Sequence, residues 1–155
     1  MDERFNLFTV LINNISRSIR RIKTEEMAEF NLKSSHVSCI YYLYIYNSLT
    51  AKELCDISSE DKANISRSIE HLEENGYIIC KSDAPKRYKS PLVLTEKGKE
   101  IAVKISKKLD GIVDKVTVGL DDATRETMYK GLNIIFANLQ DMCDGYERLP
   151  CSNIK

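Results

Sequence analysis

Apolar residues recur every three or four positions through the long stretches of this chain. Near the amino terminus Leu7, Leu11, Ile15, Ile19 and Ile22 form one stripe. Ser34 to Tyr46 holds Val37, Ile40, Tyr41, Leu43, Tyr44 and Ile45, and predicts a second helix. After Thr95, which reads as an N-cap, Ile101, Ile105, Leu109, Ile112 and Val116 run along one side of a long helix. From about Asp121 to Asp144 a last helix offers Met128, Leu132, Ile135, Phe136, Leu139 and Met142. Spacings of three and four place such residues on one helical face.

The middle of the chain is punctuated differently. Thr50 and Glu53 have capping-box spacing, so a short helix starts at Ala51 with Leu54 and Ile57 turned inward. Ser58 and Asp61 repeat that spacing and place the start of the next helix near Ser59 or Glu60. Its apolar positions are Ala63, Ile65, Ile69 and Leu72, and Asn75-Gly76 ends it, with glycine suited to the left-handed C′ position. Tyr77 to Lys81 and Leu92 to Leu94 are short β-rich runs. Between them the prolines and short polar residues of Ser82 to Pro91 argue a loop. Helix, turn, helix, hairpin is the layout of a winged helix-turn-helix.

This layout carries chemistry. Lys62, Asn64, Ser66 and Arg67 lie off the apolar stripe of the second short helix, toward its amino end. A reading helix touches bases mainly with its N-terminal residues. Arginine pairs bidentately with guanine and asparagine with adenine, while serine and lysine more often hold phosphate. The hairpin loop adds Lys81, Lys86, Arg87 and Lys89 against Asp83, a local charge of +3. Such a loop suits phosphate and narrow minor grooves. A solvated polar face would account for the helix residues alone; the basic hairpin beside them favours DNA.

The blocks Leu49 to Leu54, Asp61 to Ile69, His71 to Ile78 and Leu94 to Gly98 resemble, in order and spacing, the MarR family of bacterial transcription regulators. The resemblance extends over nearly the whole chain. It implies a mainly α fold with a small β-hairpin wing: a DNA-binding unit over residues 34–94, with dimerisation helices over 5–30 and 95–146 of a single protomer spanning 1–155. It implies a homodimer on a pseudo-palindromic operator, more often a repressor, its two reading helices about 34–36 Å apart. Lys62, Asn64, Ser66, Arg67, Lys86, Arg87 and Lys89 become the expected DNA contacts. Arg87 stands at the wing's minor-groove position, and Tyr88 replaces the second basic residue common there.

The same resemblance implies release by a small-molecule effector held between the dimerisation helices and the DNA unit. Arg17, His36, Cys39, Tyr41 and Tyr44 are the residues nearest that place in sequence. A partly buried Arg17 would suit a phenolic or carboxylate effector. For each of them singly, packing or solvation is the plainer account.

Composition adds limits. The chain has 155 residues, 43% of them hydrophobic and 30% charged, with zero formal net charge. That zero hides an asymmetry. Arg17 to Lys23 carries bases and no acids, whereas Asp121 to Glu147 has a net charge of −4. Local charge sets attraction to phosphate. No run approaches the roughly 20 apolar residues of a membrane span, and Met1-Asp2-Glu3-Arg4 does not open a signal peptide. Five scattered cysteines without CxxC spacing point to reduced thiols in a cytoplasm.

Other classes fit less well. With only His36 and His71 and no paired metal spacing, neither a metal site nor a cofactor is expected. A phosphate-cradling glycine loop, HExxH and GxSxG are missing from the sequence, so an enzyme is not expected. Two other readings stay open: cysteine-based redox sensing, through Cys39 or the C-terminal Cys143 and Cys151, and a winged helix that acts through protein contacts without DNA.

Overall fold

The computed structural model describes residues 3–58, 60–81 and 90–147. Its elements are α1 (Arg4–Glu26), a 3₁₀ turn (Ala28–Phe30), α2 (Ser34–Tyr46), α3 (Ala51–Ser58), α4 (Lys62–Glu74), β1 (Ile78–Cys80), β2 (Leu92–Leu94), α5 (Glu96–Val116) and α6 (Asp122–Glu147). The chain divides into two compact units, Met1–Ile112 and Val113–Lys155.

The first unit has one core. Val37, Ile40 and Leu43 of α2 meet Leu54 of α3, Ile65 and Leu72 of α4, Ile78, Leu92 and Leu94 of the hairpin, and Ala102 and Ile105 of α5. Ile78 pairs with Leu94, Ile79 with Val93 and Cys80 with Leu92 in an antiparallel ladder. Ile78 is buried and Ile79 exposed, as the two-residue period of a strand requires. Leu49 extends the ladder: its N–H and carbonyl both bond Leu92, at 3.3 and 2.9 Å. The entry to α3 is thereby fastened to the wing's second strand. Lys108 of α5 donates to the carbonyl of Glu26 at 2.9 Å and forms an ion pair with Glu29, which ties α5 to the end of α1.

Caps fix the short helices. Glu53 accepts from the Thr50 N–H at 2.7 Å, and the Thr50 hydroxyl accepts from the Glu53 N–H at 3.2 Å, the reciprocal box expected there. The next helix starts later than Ser58 predicted. Ser58 is the last residue of α3, its hydroxyl donating back to the Leu54 carbonyl at 2.5 Å. Asp61 is the N-cap of α4 and accepts from the Asn64 N–H at 2.8 Å. Ala63, which lies off the stripe of Ile65, Ile69 and Leu72, is exposed.

The far end of α4 closes as a Schellman turn. The Tyr77 N–H bonds the Leu72 carbonyl and the Gly76 N–H bonds the Glu73 carbonyl, both at 2.9 Å, with Gly76 at φ 72°. Here α5 begins. The Thr95 hydroxyl donates to the Gly76 carbonyl at 2.6 Å and accepts from the Gly98 N–H at 3.0 Å. Lys97 donates to the Asn75 carbonyl at 2.7 Å and stands 4.5 Å from the centre of the Tyr77 ring. Gly98 passes so close that a Cβ there would lie 2.0 Å from the Tyr77 carbonyl oxygen.

The apolar stripe of α1 is not consumed by this core. α1 has no buried residue, and Phe5, Leu7, Leu11, Ile15 and Ile19 are at least half exposed. In the second unit α6 is capped by Asp121, which accepts from the Thr124 N–H at 2.7 Å. Its apolar side chains Leu132, Ile135, Phe136, Leu139 and Met142 are exposed as well.

Candidate nucleic-acid interface

The reading-helix candidate, α4, is half core and half surface. Ile65, Ser68 and Leu72 are buried. The Ser68 hydroxyl donates to Ser35 of α2 at 2.9 Å, a buried contact that fixes the rotation of α4 about its axis. This rotation turns Lys62, Ser66 and Arg67 outward, all exposed, while Asn64 is half-buried. The orphan N–H groups at the start of α4 lie beside these residues and favour an anion, as any helix amino end does.

The four side chains straddle α4. Lys62 and Ser66, four apart, line a cleft of about 380 Å³ on the wing side with Ala51, Ile69, Cys80 and Leu92. Asn64 and Arg67, three apart, line a cleft of about 480 Å³ on the opposite side with Lys33, His36 and His71. The helix ridge between the clefts is exposed. Lys86, Arg87 and Lys89 lie outside the described residues; the strands that lead to them are placed by the β1–β2 ladder, where the Lys81 N–H bonds the Pro91 carbonyl at 2.9 Å.

The effector candidates do not converge. Arg17 is exposed on α1 and donates to Asn14 at 3.1 Å. Tyr44 lines a separate cleft with Leu43, Asn47, Lys81, Val93 and Lys99. Tyr41 packs edge-on against Tyr42, ring centres 5.8 Å apart. Cys39 is fully buried, and burial pushes its thiol up to about 12, with the field of Glu60 acting in the same direction. A thiol so held is protonated at neutral pH and is a poor nucleophile.

His36 has a structural task. Its Nδ1 accepts the Lys33 N–H at 3.2 Å, capping α2, so its ring proton sits on Nε2. The ring stacks on His71 of α4, centres 4.2 Å apart and planes within 9°. Burial, then His71 and Lys33, push its pKa down to about 4. Sequence reading missed this stack because the partners lie on different helices with no local pattern joining them. It also missed Glu60, whose carboxylate accepts from the Asn64 side-chain amide at 2.5 Å.

Among the described residues Cys39, Cys55, Cys80 and Cys143 form no disulfide, and no group of three or more potential metal ligands occurs. Among them, too, no helix is long and apolar enough to cross a membrane.

Comparison with known proteins places this geometry. A family model described as a winged helix DNA-binding domain matches residues 35–113. The HTH-type transcriptional regulator YwoH of Bacillus subtilis (strain 168) is 32% identical over 99 residues, which cover 62% of this chain and 72% of that protein. A putative MarR family regulator from Listeria monocytogenes, solved in complex with a 26mer DNA, superposes with a TM-score of 0.77 at 24% identity, covering 92% of this chain and 95% of its own. A MarR regulator from Methanosarcina mazei Go1 gives 0.79 at 22% identity, covering 92% and 93%. The chain therefore belongs to the winged helix DNA-binding family, and its fold is that of the MarR regulators on which it superposes.

Proposed function

We propose that this protein is a homodimeric transcription repressor that reads a pseudo-palindromic operator. One observation carries the reading: α4 is locked on its inner face by Ile65, Ser68 and Leu72 and presents Lys62, Ser66 and Arg67 at its capped amino end. Arg67 and Asn64 contact bases. Ser66, Lys62 and Lys89 hold phosphate, Lys86 adds charge to the wing, and Arg87 enters the minor groove. The exposed apolar faces of α1 and α6 support the dimer, since contiguous apolar surface beyond a few hundred Å² marks an interaction site.

Release by a phenolic or carboxylate effector belongs to the same proposal, with Arg17, His36, Cys39, Tyr41 and Tyr44 as its starting residues. None of the clefts described above holds two of them, so such a site would draw on a second protomer.

Selection of binding sites from a random DNA pool tests the reading. A palindromic winner with two half-sites about one helical turn apart is the expected result. Lys89→Ala should weaken all sequences alike and reduce the salt slope by about one. A pool without enrichment would refute the proposal and leave a protein-only winged helix.

A further inference from the structure

The turn between α3 and α4 places a carboxylate where a DNA-binding surface has no electrostatic use for one. Glu60 lies one residue before the cap of α4, and its Oε2 accepts from Nδ2 of Asn64 at 2.5 Å. Asn64 is thus held twice: its backbone N–H by Asp61 at 2.8 Å and its side chain by Glu60. A negative charge beside incoming phosphates lowers affinity for every sequence. Its benefit must lie elsewhere, and the bond to Asn64 identifies it.

We infer that Glu60 is a positioning residue that fixes the orientation of the Asn64 amide and so sets which base Asn64 prefers. This rests on the reading of Asn64 as a base contact given above. A carboxylate has no proton to give and can only accept. The NH₂ end of Asn64 must therefore face Glu60, and the two ends of the amide cannot exchange. One Nδ2 hydrogen and the Oδ1 lone pairs remain for a partner. Adenine offers a matching N7 acceptor and N6 donor on its major-groove edge. An unrestrained amide could turn over and present donor and acceptor in the reverse order.

Lys23 of α1 lies within the field of Glu60. Its ammonium donates to the Ser38 hydroxyl at 2.9 Å. Burial lowers its pKa, and the attraction of Glu60 opposes that effect.

The test measures discrimination, not affinity alone. The selected operator and its single base-pair variants are titrated with wild type, Asn64→Ala, Glu60→Ala, Glu60→Gln and the double variant Glu60→Ala/Asn64→Ala. Asn64→Ala should lose roughly tenfold or more in discrimination at one position of the half-site. Glu60→Ala should lose preference at that same position while binding unrelated DNA more tightly. Glu60→Gln should fall between, because a glutamine accepts either amide orientation. The double variant should be no less selective than Asn64→Ala alone.

If Asn64→Ala relaxes that position and Glu60→Ala does not, the positioning role is wrong and the base contact stands. If Glu60→Ala weakens preference evenly at every position, Glu60 only shapes the turn, and the inference fails. If Asn64→Ala relaxes no position, both the contact and its positioning residue fall together.

Discussion

Gly98 offers a sharp test of how α4 is joined to α5. An ideal Cβ at this position would meet the Tyr77 carbonyl oxygen at 2.0 Å, the Tyr77 carbonyl carbon at 3.0 Å and Leu94 Cδ2 at 3.2 Å. The first contact is backbone and cannot swing aside. Opening it disturbs a carbonyl that accepts from both the Thr95 N–H at 3.0 Å and the Thr95 hydroxyl at 3.2 Å. Overpacking costs about 1–3 kcal/mol, and each hydrogen bond lost in part-buried surroundings adds about 1 kcal/mol. Alanine returns about 1 kcal/mol through its better helix propensity. The expected net loss for Gly98→Ala is about 2–4 kcal/mol, read as a shift in urea midpoint at fixed protein concentration.

Two other glycines calibrate that number. Gly76→Ala meets open space but must keep φ at 72°, so it should cost only about 1–2 kcal/mol. Gly131→Ala, in open space on α6, should be neutral or stabilise by up to about 1 kcal/mol. If Gly98→Ala behaved like Gly131→Ala, the close approach of the two helix ends would not exist in solution.

Thr50→Ala removes the acceptor for the Glu53 N–H and should cost about 1 kcal/mol by thermal denaturation; an unchanged melting temperature would mean the cap contributes nothing. Acidification should act through His36, whose folded pKa of about 4 lies below its ordinary 6.5. The unfolded chain binds the proton first, so stability is full above about pH 6.5 and falls toward pH 4, by about 1–2 kcal/mol after allowance for water access. His36→Asn keeps an acceptor for the Lys33 N–H and should flatten that part of a stability-versus-pH curve; an unaltered curve would clear His36 of responsibility. Phe136→Glu, on the exposed face of α6, should yield monomers by light scattering; a truly solvent-facing position would tolerate it within about 0.5 kcal/mol and leave the particle mass unchanged. Arg67→Ala should cost about 1–3 kcal/mol of operator binding in a salt titration and relax one base position, and wild-type binding would remove Arg67 from the base contacts.

Much of the DNA unit was legible because its signals are local. Thr50 with Glu53, and Asn75 with Gly76, report helix ends through bonds spanning three to five residues, and the structure forms them where the sequence places them. The error at Ser58 has a physical cause. A serine hydroxyl can bond back to its own helix as easily as cap the next, and here Leu54 takes it. The carboxylate of Asp61 caps α4 instead. Contacts across helices left no such trace. His36 and His71, or Lys23 and Ser38, meet only after α2 packs against its neighbours. The stripe of α1 is plain in the sequence, yet periodicity alone does not say whether its partner belongs to the same chain.

The corner where α4 gives way to α5 has a mechanical consequence. Thr95, Lys97 and Gly98 grip Gly76, Asn75 and Tyr77 within the space of one helical turn. There is no slack at that corner and no rotatable spacer. A torque applied along the start of α5 is therefore passed to α4, so a small tilt of one helix becomes a change in where the other's amino end points.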